Sequence, residues 1–334
     1  MRDLITADLH LTDREKDNYR WDLFPWIERT IKEKKIDRLL ILGDITDMKD
    51  KHSSVLTNNI VNAFQSIAKL VPILIIPGNH DFVNVNNPFF RFLDRIEGIN
   101  FFNEPTVAGT SLFLPHSKNP TKDWEYLSLD SVTRIFIHQC VLGSAGAQGY
   151  EMEHGLEPSY FKSKGSKAKV VAGDIHVPQV VGSKEKGQVE YVGSPYPINF
   201  GDHYKTRLLI MDEKEILEEV HFPSIQKLSI KITNPSKLKL QRVSKGDQIS
   251  VKLLLEPAEF CHWSEYKKEC AAWAESKGLT NVQISMESVV SKTERTEGAV
   301  KAESKLHTPE LIMESFGKKE KLEPNILKRG VDLL

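Results

Sequence analysis

The chain has 334 residues and a mass of 38.0 kDa, enough for one large domain and a smaller one. Hydrophobic residues at 40% and charged ones at 27% describe an ordinary soluble globular protein. A formal net charge of −1 excludes a general basic footprint, so any nucleic acid must be held by a local patch or a partner.

The N-terminal stretch, MRDLITADLH, already reads as a strand carrying ligand-type residues, so no signal peptide is expected before it. From residue 1 to about 110 the pattern is strand, helix, strand, helix, strand. Strands near 2–7, 37–43 and 71–77 are almost wholly apolar, the signature of a parallel sheet covered on both faces. Between them, 21–35 carries Trp21, Phe24, Ile27 and Ile31 at helical spacing, with Pro25 tolerable near a helix start. Ser53 and Ser54 cap a second helix over 55–70, with Leu56, Ile60, Phe64 and Ile67 on one face. A short helix is expected at 88–96, its aromatics in the core. From 99 to 222 shorter runs read as strands at 99–103, 111–115, 133–137, 168–172, 188–192, 207–211 and 216–222, with a long Gly-, Ser- and Lys-rich loop at 142–167.

The character changes at about 225. Strands at 227–232, 248–255 and 282–286 with a helix at 258–277 form a small accessory unit without a ligand-type cluster. Residues 288–307 are polar and lack apolar periodicity, as in a linker. Thr308 and Pro309 then start a short apolar helix, and a second runs to Leu334; such helices suit docking on a partner. The expected division is therefore 1–223, 224–287, 288–307 and 308–334. Cys140, Cys261 and Cys270 lack zinc-site spacing and are odd in number, which suits a reducing compartment. No apolar run reaches the roughly 18 residues that span a membrane, and a cytoplasmic location is expected.

Five of the apolar runs end in Asp, Asn or His: Asp8-Leu9-His10, Gly43-Asp44, Gly78-Asn79-His80-Asp81, His138, and Gly173-Asp174-Ile175-His176. Ligand sites in open α/β sheets lie outside the carboxyl ends of the strands, so these endings are candidates to converge. Oxygen and imidazole donors without thiolate suit two dications, Mn²⁺ before Mg²⁺, Fe or Zn. Asp44 is the natural bridging carboxylate. Asp8, His10 and His176 suit one ion, and Asn79, His138 and Asp174 the other. Paired dications activate water and clamp a phosphate. His80, held by an acid such as Asp47 or Asp81, is placed to protonate the leaving oxygen. The chemistry expected is phosphate ester hydrolysis.

The order of these motifs resembles the calcineurin-like metallophosphoesterases, and within them the SbcD-type DNA repair nucleases and their phage relatives. Tyr191-Val192-Gly193-Ser194-Pro195 with Asn199-Phe200-Gly201-Asp202, and His154-Gly155-Leu156-Glu157-Pro158, resemble segments of that branch. The resemblance implies an α/β sandwich of two mixed sheets flanked by helices, a small α/β capping domain and C-terminal partner-binding helices. It implies the ligands Asp8, His10, Asp44, Asn79, His138 and His176, with His80 as proton donor. Asp174 stands where the superfamily commonly has His, and a carboxylate there favours harder ions such as Mn²⁺ or Mg²⁺. The implied activity is 3′–5′ exonuclease and endonuclease cleavage of DNA duplex ends and single strands. The implied partner is an SbcC-type coiled-coil ATPase, with a nuclease homodimer inside a heterotetramer. Two rivals are a general or nucleotide phosphodiesterase on the same scaffold, and an interaction subunit whose metal site has decayed.

Overall fold

The computed structural model describes residues 1–289 apart from Gln148 and His203. Most of the expected linker at 288–307 and both expected helices at 308–334 lie outside the described residues. Among the described residues, contacts divide the chain into one compact unit of 1–253 with 265–285, and a second of 254–264 with 286–289.

The first unit is built on two six-stranded sheets. One has the order β12-β11-β1-β2-β3-β4, from β1 (Asp3–Thr6), β2 (Arg38–Leu42), β3 (Ile73–Ile76), β4 (Ile99–Phe101), β11 (Leu208–Met211) and β12 (Ile216–Val220). The other has the order β5-β6-β7-β8-β10-β9, from β5 (Thr106–Ala108), β6 (Ser111–Leu114), β7 (Arg134–His138), β8 (Lys169–Gly173), β9 (Gln179–Ser183) and β10 (Gly187–Tyr191). Strands β1 to β4 are mutually parallel, as are β6, β7, β8 and β10, while β5, β9, β11 and β12 pair antiparallel. Both sheets are mixed, as the resemblance implies.

Alternation along each strand decides the layers. Leu4, Leu39, Ile41, Ile73 and Ile75 face helices α1 (Leu23–Lys34) and α2 (Ser54–Ala68). Their neighbours Ile5, Leu40, Leu42, Leu74 and Ile76 turn the other way and pack with Phe113, Phe136 and Val171 of the second sheet. Helix α2 begins where Ser53 Oγ accepts the Leu56 N–H at 3.0 Å. Helix α1 takes Pro25 in its first turn, where no N–H is needed, and ends at Lys35 in the left-handed region. A 3-10 helix at Glu15–Asp22 precedes α1, where the sequence pattern suggested only the helix that follows. Strands β5 and β9 also went unpredicted, each short and half-exposed.

Strands β13 (Lys227–Ile232), β14 (Gln248–Leu255) and β15 (Thr280–Ser288) form a third sheet in that order, with β13 and β14 parallel. Within the first unit, Lys227 Nζ lies 3.4 Å from Asp17 and Gly201 N–H donates to Lys227 O. In the second unit, Glu256 and Glu259 close a capping box over the 3-10 helix Pro257–His262, and Val289 N–H donates to Leu255 O. The expected helix at 258–277 is thus a 3-10 segment followed by Trp263–Ser276.

Candidate metal centre

Strands β1, β2 and β3 of one sheet and β7 and β8 of the other release their carboxyl ends at the same place. The chain turns there through unusual backbone: Asp8, His10, Asp44 and Asp174 have φ of 54°, 43°, 54° and 94°. Non-glycine residues in this region cost roughly 1–3 kcal/mol each, and such strain collects at functional sites. Strand termini alone would not require it.

All seven sequence-predicted ligands meet. Donor atoms of Asp8, His10 and His176 lie within 4.8 Å of one another, as do those of Asp8, Asp44 and His138. Asp44 Oδ2 faces His10 Nε2 at 3.6 Å while its Oδ1 faces His138 Nε2 at 3.4 Å, so one carboxylate serves both groups. Asn79 Oδ1 and Asp174 Oδ1 lie 3.0 and 3.5 Å from His138 Nε2. The imidazole Nε2 atoms of His10 and His176 are 3.0 Å apart, about the spacing of two donors bonded ~2.1 Å from one ion at right angles.

Two of the three histidines are turned by a contact at their other nitrogen. His138 Nδ1–H donates to Leu42 O at 2.7 Å, and His10 Nδ1–H donates to Asp47 Oδ1 at 2.9 Å. Both therefore present the Nε2 lone pair inward, the usual arrangement behind a metal ligand. Asp8 Oδ2 is buried and has no hydrogen-bond partner. An orphaned carboxylate oxygen amid imidazoles fits a dication, because a buried charge needs a counter-charge.

The electrostatics agree. Burial pushes Asp8 well above the usual carboxylate range, with Asp44 and Asp174 adding to it against His138. Burial also opposes ionisation of Asp44, but His138, His10 and His80 outweigh it and hold this carboxyl low. Burial and His10 push His176 down to about 3, so it is neutral and able to ligate. Burial works against His138 too, yet Asp44, Asp174 and Asp8 raise it well above an ordinary histidine. Three carboxylates around one imidazole ask for a cation.

Residues 1–178, over half of the chain, match the family model for calcineurin-like phosphoesterases. The chain belongs to the calcineurin-like phosphoesterase family. Membership makes this phosphoesterase a metal-dependent phosphoester hydrolase, and its donor set offers two candidate metal-binding groups that share Asp8. Among solved structures it is similar to a dimetal phosphatase from Danio rerio (12% identity, 65% of this chain and 98% of the other, TM-score 0.39). It is also similar to GAP50, the anchor in the inner membrane complex of Plasmodium (12%, 68% and 90%, 0.40), and to the nuclease MPE of Pseudomonas putida (15%, 64% and 87%, 0.32). No curated protein matches the sequence. Among the described residues no helix is long and apolar enough to cross a membrane.

In the phosphoesterase the two acids expected to hold His80 are turned to other partners. His80 N–H donates to Asp44 Oδ1 at 2.9 Å, and its ring Nδ1–H donates to the main-chain oxygen of Asp47 at 3.0 Å. Its ring lies 5.2 Å from that of His10. The Asp47 carboxylate does not hold His80; it holds His10 and pairs with Arg14 Nη2 at 2.6 Å. Nor does the Asp81 carboxylate, which accepts the N–H groups of Asp44, Ile45 and Gly78 at 2.8, 2.9 and 2.7 Å. Asp81 clamps the two metal loops together. Both acids are positioning residues: the side chains of His10 and Arg14 take up Asp47, and main-chain N–H groups of two loops take up Asp81.

Sequence reasoning passed over the support behind these loops. Arg14 bridges Asp47 and Asp17, Thr12 Oγ1 donates to Asp17 at 3.0 Å, and buried Arg20 donates to His10 O. Tyr196 OH donates to Leu9 O, and Ser194 N–H donates to His176 O at 3.0 Å. Gly193 has φ 81°, and a Cβ there would lie 2.7 Å from His176 O. The Gly193-Ser194-Pro195 segment thus buttresses a ligand turn, the one signal of this layer that the sequence carried.

Proposed function

We propose that this chain is the nuclease subunit of a DNA-processing complex, hydrolysing phosphodiesters of DNA ends and single strands, with Mn²⁺ as the preferred ion. The single observation that supports a long diester over a small one is that a groove adjoins the metal centre on each of two sides. One, of 280 Å³, includes Arg14, Lys16, Arg20, Asp47 and Lys227. The other, of 530 Å³, includes Phe82 and His116, the latter ring lying 6.1 Å from His138.

When bound, two dications would activate water and neutralise charge on the phosphoryl oxygens. The chain's own residues do the rest. Asp8, His10, Asp44, Asn79, His138, Asp174 and His176 would hold the ions. His80, fixed through Nδ1, holds a proton at Nε2 for the departing oxygen. Arg14 and Lys16 lie where a neighbouring phosphate would pass. The motif resemblance supports an SbcC-type ATPase as partner, a homodimer of the nuclease within the complex, and 224–287 as the capping domain.

The test is cleavage of end-labelled linear duplex DNA with Mn²⁺, with EDTA, His80→Ala protein and bis-p-nitrophenyl phosphate as companions. We expect metal-dependent loss of label and a fall of roughly 10²–10⁴ for His80→Ala. Turnover of the small diester with DNA untouched, with and without an SbcC-type ATPase and ATP, would replace this reading with a general phosphodiesterase.

A further inference from the structure

The two grooves beside the metal centre differ in chemistry. The one at Arg14 is cationic and suits phosphates. The one at His116 is lined by Val83 and Val85 together with the polar residues Asn84, Asn103, Glu104, Lys118, Asn119 and Asp123. Val83 and Val85 are 64% and 47% exposed although they follow directly on the metal loop that ends at Asp81. Beneath them Phe82 is buried, and Trp124, fully buried, closes the floor. His116 ties the groove to the metal centre. Its main-chain N–H donates to Pro77 O at 3.1 Å, and its ring lies 6.1 Å from both Phe82 and His138. Its Nδ1 is buried without a hydrogen-bond partner.

A slot of 530 Å³ that joins apolar residues to amide-bearing and charged ones has the size and polarity of a small-ligand site. A lone phosphate gains little from valine and phenylalanine. A nucleobase gains from both parts, since its faces are apolar and its edges carry the donors and acceptors that asparagine matches. We propose that the groove formed by 82–85, 103–105 and 115–119 receives an unstacked nucleobase of the nucleotide flanking the scissile phosphate. The inference rests on the phosphodiesterase reading above and extends it. The enzyme grips the substrate asymmetrically, with phosphates toward Arg14 and a base toward His116, so it requires a strand end or a single strand whose base is free to leave the stack.

Two measurements test it. The first needs no turnover: a dinucleotide carrying 4-thiothymidine is photocrosslinked to the full chain in Ca²⁺, and the attachment point is mapped by mass spectrometry. Crosslinks within 82–85 or 115–119 are expected; their absence there, or attachment only near 14–20 or 198–200, overturns the proposal. The second is the ratio of kcat/KM for thymidylyl thymidine to that for its abasic counterpart with Mn²⁺. The wild type should favour the base-bearing diester at least tenfold. Val83→Ser/Val85→Ser should lower that ratio at least fivefold, and Val180→Ser on remote β9 should not. Equal ratios in wild type and double variant also overturn it. If the wild type hydrolyses no diester at all, the functional reading fails, while the crosslinking result still decides whether a base enters the groove.

Discussion

A single methyl group at Gly78 should dismantle the metal centre. A Cβ built there collides with Asp44 Oδ1 and lies 2.6 Å from both Asp44 N and His138 Cε1. Ordinary contact begins at 3.4 Å, so at least one neighbour must retreat by about 0.8 Å. Neither is free to do so. The Asp44 main chain is fixed by Asp81 at 2.8 Å and its Oδ1 accepts from His80 N–H, while buried His138 is pinned to Leu42 O at 2.7 Å. Overpacking of this kind costs about 1–3 kcal/mol. The functional cost is larger, because metal–ligand bonds tolerate only about 0.2 Å and Asp44 faces both donor groups. Gly78→Ala protein should bind fewer than two Mn²⁺ per chain by inductively coupled plasma mass spectrometry. Its kcat/KM on bis-p-nitrophenyl phosphate should fall about 100-fold. Two ions per chain with turnover within about threefold of wild type would refute the contention that Gly78 is required by the proximity of Asp44 and His138.

Asp47→Ala removes the acceptor that orients His10 but leaves the main-chain oxygen that orients His80. Mn²⁺ activation should therefore shift to roughly 10–100-fold higher concentration with kcat largely recovered at saturation, whereas His80→Ala should not be rescued by metal. Asp81→Ala strands three buried main-chain N–H groups, each worth about 1–3 kcal/mol, so urea unfolding should show a loss of about 3 kcal/mol or more. Burial, reinforced by Arg20, pushes Lys227 down to about 8 against the pull of Asp17. A lysine whose folded value lies below its unfolded 10.5 binds fewer protons folded than unfolded, so stability rises as pH climbs through that interval. Relative to Lys227→Met, wild-type unfolding free energy should increase by about 3 kcal/mol between pH 8 and 10.5, and parallel pH profiles would refute it.

What the sequence by itself determined was everything that short-range chemistry encodes. Apolar runs of four to five residues read as strands, those near 2–7, 37–43 and 71–77 as strands of a covered parallel sheet, and β1, β2, β3, β7 and β8 form where those runs lie. A ligand-type residue at the carboxyl end of each named the candidate site, because parallel neighbours in one sheet end on the same edge; the packing of the two sheets then brought the two edges together. Asp174 was legible for the same reason, despite standing where the superfamily commonly has His. Tertiary structure decided the targets of the acids. Asp47 and Asp81 sit beside His80 in any one-dimensional reading, yet one turns to His10, 37 positions away, and the other to main-chain N–H groups of two loops. It also decided which histidines share an ion, since His10 and His176 meet across 166 residues. The supporting layer of Arg14, Arg20, Tyr196 and Lys227 carried no periodicity or motif of its own. Hydrogen-bond partners are chosen by direction and distance after the sheets have packed, and neither quantity exists until the chain is folded.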